Sequence, residues 1–168
     1  MRTLHTAALL CLMSTSAFAE TVRLETGEVL IGDVTSVTYE RVVVTTLFPR
    51  EEKLTLPANR LDPASHYELL VARIDRSGAS KRLELARFCA QKGLFAHAIV
   101  EARLAAKLDP KLKPSAEQLA ERALESLAHG LLEIARTYFA VEHPARARLY
   151  LNSILKRYPR TKSAVEAR

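Results

Sequence analysis

Beyond residue 19, the side chains best suited to catalysis or metal binding are four histidines (His66, His97, His129, His143) and one cysteine, Cys89. No two of the histidines stand three or four residues apart, so none shares a helix face with another and the helical zinc spacing is absent. His97 and His143 flank the inner turns of two expected hairpins. They either converge in space or are two exposed turn residues, and the second is the plainer reading. Cys89 has Arg87 and Lys92 nearby, which would favour a thiolate. It also falls on the apolar face that carries Leu85 and Ala86, where a small buried thiol is expected. The chain has no GxSxG turn, no phosphate-binding loop and no Gly-rich dinucleotide turn. Its carboxylates form no placed pair for acid–base work. Glu84 and Glu133 recur, each with an arginine three residues on (Arg87, Arg136), which is the spacing of a surface ion pair on a helix. The expectation is a chain with no catalytic, cofactor-binding or metal-binding residue, and a thiol- or histidine-dependent enzyme is the remote rival.

Charge offers one binding hypothesis. The 168 residues carry 25 Lys and Arg against 19 Asp and Glu, a formal charge of +6. Arg103, Lys107, Arg146, Arg148, Lys156, Arg157 and Arg160 concentrate on or near two helices and could receive an acidic peptide or an anionic polymer. A solvated helix face is the plainer alternative. The compartment bears on the choice. The opening MRTLHTAALLCLMSTSAFAE has one early positive charge, Arg2, an apolar run from Ala7 to Met13 and the small-x-small end Ala17-Phe18-Ala19. This reads as a secretory signal, residues 1–19, with cleavage before Glu20. The apolar run is far shorter than the ~20 residues a membrane span needs. Lipid attachment at Cys11 is not expected, because Leu10 rather than a small residue precedes it. Cleavage leaves 149 residues and a charge of +5. For an exported chain, a periplasmic protein or peptide partner, an acidic one included, is a better expectation than nucleic acid. Cys89 is then the sole cysteine, so stability must come from packing.

The elements that must position these groups change character near residue 65. From Thr21 to Leu56 the chain is rich in Val, Thr and Leu with period-two patterning, and it reads as four or five short strands in a meander. Gly27 suits a turn, Gly32 a bulge or sharp bend, and Val42-Val43-Val44 a strand buried on both faces; Pro49 and Pro57 end runs. This β module, residues 20–58, is marginal in size. It should pack on the helices or on another copy, giving a possible homo-oligomer. Residues 59–80 are a connector and first helix, with Asp62-Pro63 and Ser65 as turn and capping chemistry.

Helical periodicity then takes over, and it repeats. Leu83-Glu84-Leu85-Ala86-Arg87 returns as Leu132-Glu133-Ile134-Ala135-Arg136, 49 residues on. In the same register Ala98 falls on Ala147, Lys107 on Lys156 and Pro110 on Pro159. Each unit reads as a helical hairpin. The first helix of unit one stops at Lys92-Gly93. The second carries Ala98, Ile99, Ala102, Ala105 and Leu108 as an apolar stripe and ends at Asp109-Pro110. In unit two, Pro144 suits a first helical turn, Leu151, Ile154 and Leu155 are the stripe, and Tyr158-Pro159 closes it.

Over residues 81–168 this pattern resembles the tetratricopeptide-repeat family, in particular bacterial envelope members with ARARLYLNSILKRYPRT-like endings. The matching positions are Leu85, Ala86, Gly93, Phe95, Ala98, Ala105, Pro110, Ile134, Ala135, Tyr138, Ala147, Leu151 and Pro159, with Cys89 where an aromatic is usual. All are packing positions. The N-terminal patterning around TGEVLIG is similar to short SH3-like and Sm-like modules. The family's period is about 34 residues. The 15 extra residues here lie around KLKPSAEQLAERALESL and predict one long helix, about 115–141, crossing Gly130. The expected fold is α+β: a small β-meander or SH3-like barrel, then an all-α array of tetratricopeptide-like (TPR-like) hairpins. The resemblance implies a non-enzymatic adaptor or scaffold of the cell envelope without cofactors. A structural subunit whose repeats only pack is the alternative.

Overall fold

The structure is a computed structural model and describes residues 19–47 and 50–168. The secretory-signal reading, Cys11 and Pro49 lie outside the described residues. Four strands come first: β1 (Glu20–Arg23), β2 (Val29–Val37), β3 (Arg41–Thr46) and β4 (Glu52–Pro57). Six α-helices follow: α1 (Pro63–Arg73), α2 (Ala79–Gln91), α3 (Phe95–Leu108), α4 (Lys113–Ala140), α5 (Pro144–Arg157) and α6 (Lys162–Glu166).

The strands form one antiparallel meander in the order β1-β2-β3-β4. Alternation sends Val22, Leu24, Val34, Val42, Val44 and Leu56 to a single buried face, as period two requires. Two expectations are corrected here. Val42 and Val44 are buried, but Val43 between them points to the opposite, half-covered face, so β3 is not buried on both sides. The register shift lies between Val34 and Ser36, not at Gly32. Gly32 instead marks a close approach, because a Cβ there would stand 2.2 Å from the Thr45 carbonyl oxygen. After β4 a short 3-10 turn brings Leu61 back to pair with Leu24, with Asp62 N–H donating to Arg23 O at 2.9 Å. That bridge closes the C-terminal end of β1's outer edge. About 40 residues cannot build much core alone, and Leu69 of α1 completes this one.

The helical part repeats in three dimensions with the period seen in the sequence. The end of α2 (Gln91), both ends of α3 (Phe95, Leu108) and the start of α4 (Lys113) each recur 49 residues later, at Ala140, Pro144, Arg157 and Lys162. The turns match bond for bond. Lys92 N–H to Phe88 O, Gly93 N–H to Ala90 O and Leu94 N–H to Cys89 O become Val141 to Thr137, Glu142 to Phe139 and His143 to Tyr138. Gly93 holds a φ of 76° there, and Glu142 holds 60°. A left-handed conformation is free for glycine and costs other residues roughly 1–2 kcal/mol. Glu142→Gly is therefore expected to raise stability by about 0.5–1 kcal/mol, after allowance for the added freedom of the unfolded chain. Urea unfolding checks this; an unchanged or lowered midpoint would show that the turn is not strained.

At the same offset α1 and α2 together correspond to the single helix α4. The difference is local. Unit one has Ile74-Asp75-Arg76-Ser77-Gly78 where α4 has Ala123-Leu124-Glu125-Ser126-Leu127. Asp75 folds over its own backbone, accepting from Ser77 N–H at 2.8 Å, and Gly78 serves as the N-cap of α2. In α4 good helix formers fill all but one of these positions, and the helix runs unbroken through Gly130. The long helix expected over 115–141 is thus present, two residues earlier at its start.

Candidate functional site

Two places collect polar side chains: a buried cluster behind the sheet and an open groove on the helices.

The buried cluster holds the groups with catalytic potential in the sequence. His66 of α1 is fully buried, with its ring edge-on to Phe88 of α2 at 4.9 Å. Nε2 lies 2.7 Å from Thr38 O, so this nitrogen carries the proton and donates it; Nδ1 then keeps its lone pair, buried and with no hydrogen-bond partner among the described residues. Burial lowers the pKa of His66 below the ordinary 6.5; the bond to Thr38 opposes the shift and the charge of Lys92 adds to it. Folding thus favours the neutral ring. Between the lowered folded value and 6.5 the unfolded chain binds more protons. The contribution of His66 is therefore complete above pH 6.5 and falls away as acid is added through that window. We expect the melting temperature to drop on acidification below pH 6.5, and His66→Gln to flatten that part of the profile; an equally steep profile in the variant would rule His66 out.

Cys89 is also fully buried, and burial, then the charge of Glu101, pushes its thiol up to about 12. The neighbouring Arg87 and Lys92 do not produce a thiolate, because the sulfur faces the core rather than the cations. Aromatic thiol reagents are expected to leave the native protein unmodified and to label one thiol after denaturation. Cys89→Ser should lower the melting temperature by placing a hydroxyl in that core. Rapid native labelling would overturn the packing assignment.

The remaining histidines are separate. His97 packs against Tyr67 with ring centroids 4.3 Å apart and the rings tilted, exposed His129 lies beside Glu133 on α4, and His143 is the N-cap of α5. Among the described residues, no group of three or more His, Cys, Asp and Glu side chains is placed to hold a metal ion. The dominant polar centre of the cluster, Glu101, was not among the residues singled out from the sequence. It is 2% exposed, accepts from Arg82 Nη1 at 2.8 Å and from Tyr67 Oη at 3.2 Å, and has Arg76 at 3.8 Å. Burial, then Glu101, raises the phenol of Tyr67 to about 12. The signal was legible: Glu101 interrupts the apolar stripe between Ala98 and Ala102.

The packing positions fall as follows. Leu85, Ala86, Cys89, Ala98, Ala105, Ala135 and Ala147 are buried; Phe95, Tyr138 and Leu151 are half-buried; Gly93, Pro110 and Pro159 are exposed at turns and helix ends. Ile134 departs from the expectation that it faces the hairpin core, being 41% exposed where its counterpart Leu85 is fully buried. Side chains of α1 and the sheet reach over α2 in unit one, His66 and Tyr39 both meeting Phe88. In unit two α4 continues as one helix instead, and Ile134 and Phe139 on it are left exposed. Leu108 likewise leaves the stripe and is 53% exposed. Glu133 pairs with Arg136 as expected, whereas Glu84 pairs with Lys81 rather than Arg87.

The groove, about 1060 Å³, runs between α3, the first half of α4 and the α5–α6 link. Its apolar lining is Ala106, Ala116, Ala120 and Leu124. Arg103 and Lys107, one turn apart on α3, form one wall; Glu117 and Glu121, one turn apart on α4, form part of the other; Arg160 and Lys162 close one end. Glu125 is spent locally. It accepts from Lys162 N–H at 2.7 Å, from Ser163 N–H at 3.1 Å and from Ser163 Oγ at 2.7 Å. Burial alone would raise its pKa, but those hydrogen bonds prevail and hold it below the usual carboxylate value. The cations singled out from the sequence therefore divide. Arg103, Lys107 and Arg160 line the groove, while Arg146, Arg148, Lys156 and Arg157 do not. Arg146 lies over the Tyr138 ring at 5.7 Å, and Arg148 and Lys156 are exposed on α5. Lys113 and Lys162 join the groove only through the fold.

No family model, no curated protein and no solved structure matches the chain. Among the described residues, no helix is long and apolar enough to cross a membrane.

Proposed function

We propose that this chain is an exported, non-enzymatic adaptor of the bacterial cell envelope, binding other proteins through TPR-like hairpins with an SH3-like β module in front. The observation that carries the reading is the bond-for-bond repetition of the hairpin turn at an offset of 49, next to an open groove between α3 and α4. A repeated packing unit that leaves a long concave surface is the usual construction of a protein-binding array. The buried, high-pKa thiol and the separated histidines support the non-enzymatic part. Export rests on residues 1–19; β1 begins at Glu20, so cleavage there would leave every described element intact.

The second reading is a structural subunit of an envelope assembly, in which the hairpins only pack. Ile134, Phe139 and Val141 at the end of α4 and Leu149 on α5 favour it, since all four are more than 40% exposed. Cross-linking of the full-length protein in its native cells separates the two. The adaptor reading expects adducts with other proteins through the helical part. Recovery of self-contacts alone would sink it and leave the structural one.

A further inference from the structure

Resting on that adaptor reading, we infer that the groove between α3 and the first half of α4 seats an acidic segment of a partner protein. Charge bookkeeping within the groove makes the case. Among the described residues, Arg103, Lys107, Arg160 and Lys162 form no ion pair. Of the three carboxylates, Glu117 lies 3.9 Å from Lys113, and Glu125, held by neutral donors at the start of α6, keeps its charge near Lys162. Counting Lys113, five cations line the groove against three carboxylates, a surplus of two positive charges. That surplus faces a concave surface, where field lines concentrate and an approaching anion is drawn in.

The occupant must satisfy three features together. The floor is apolar, three alanines and a leucine, so a contacting group needs an apolar underside. The cations stand along α3 and at the end near α6, so carboxylates belong on the matching edge. Glu117 and Glu121 line part of the α4 side and would repel a uniform polyanion, such as a phosphate polymer, while tolerating a segment of mixed character. From Lys113 to Glu125 the helix rise gives a length of about 18 Å, enough for five or six residues of extended chain. An amphipathic, acid-edged protein segment fits all three; a bare polyanion fits only the second.

The test uses the full-length protein in its native cells, with a benzoylphenylalanine photo-cross-linker at Ala106 in the groove or at Leu149 on exposed α5. The groove probe is expected to capture a partner through peptides of net negative charge, identified by mass spectrometry. Arg103→Glu with Lys107→Glu should cut the yield roughly tenfold or more. Arg148→Glu with Lys156→Glu makes the same charge change outside the groove and should leave the yield within about twofold. Both pairs are solvent-facing, and the milder Arg103→Gln with Lys107→Gln should give an intermediate loss with an unchanged helical signal. Captured segments of neutral or basic character would overturn the inference, and so would equal losses from both reversed pairs. Adducts that resist protease would overturn it too, by pointing to an anionic polymer. Capture from Leu149 alone would sink the groove and leave the adaptor reading standing. Capture of no protein but the chain itself from either site would remove both.

Discussion

Gly32→Ala is expected to lower stability by about 3 kcal/mol or more, enough to unfold the β module in a marginal protein. The new Cβ would meet Thr45 O at 2.2 Å, Thr45 C at 2.9 Å and Thr46 Cα at 2.9 Å. All three are backbone atoms, so no side chain can swing aside. The neighbouring strand cannot retreat either, because β3 is paired on both sides: Thr45 lies between Asp33 and Lys53, and Thr46 between Gly32 and Glu52. Relief would require breaking ladder bonds on one edge. Gly130→Ala is the matched control. Nothing lies within 4 Å of a Cβ there, and the site is interior to α4, so stability should hold or rise by up to about 1 kcal/mol. The measurement is equilibrium urea unfolding followed by far-ultraviolet circular dichroism. A Gly32→Ala midpoint within error of the parent would mean that the strands are not held this close.

The contrast between the two glycines shows what the sequence could convey. Periodicity gave four or five strands, of which four form, and the two helix pairs and the long helix, because alternation and helical spacing are local properties of the chain. Gly32 was visible as a glycine in a strand, but whether it served a bulge or a close approach depends on Thr45, which the strand pairing brings in from 13 residues away. The groove was half legible. Arg103 and Lys107 stand one turn apart on one helix, whereas Lys113, Arg160 and Lys162 become neighbours only when α4 folds back along α3 and α6 turns onto Glu125. Charge type alone also could not separate Arg146, Arg148 and Lys156, which face elsewhere. Ile134 was misplaced for a related reason. The repeat fixes its place on its own helix, but what covers it is set by whether the preceding segment is broken, as at Asp75–Gly78, or straight.

That break explains why the first unit needs Glu101, and it makes Glu101→Ala the other large effect. Where α4 runs on as one rod, α1 and α2 are two pieces that must be held together by side chains. Glu101 of α3 joins them, bonding Tyr67 of α1 and Arg82 of α2, with Arg76 of the intervening loop at 3.8 Å. The counterparts of Glu101, Arg82 and Tyr67 in unit two are Tyr150, Leu131 and Ala116, so the lock exists only where the helix is broken. Removing the carboxylate strands the guanidinium of Arg82, whose side chain is 19% exposed and whose Nε already lacks a partner. A buried charge left without its counter-ion costs about 3–5 kcal/mol, and Glu101→Ala should lose stability on that scale. Glu101→Gln should recover part of it, since an amide oxygen still accepts from Tyr67 or Arg82 but carries no charge. Arg82→Leu with Glu101→Met, which imitates the apolar solution of unit two, is expected to lose less than Glu101→Ala alone. A double-mutant cycle on Arg82 and Glu101, read by urea unfolding, decides the matter. Effects that add to within about 0.5 kcal/mol would show that the two side chains are not coupled and that α1 is held to α2 by apolar packing alone.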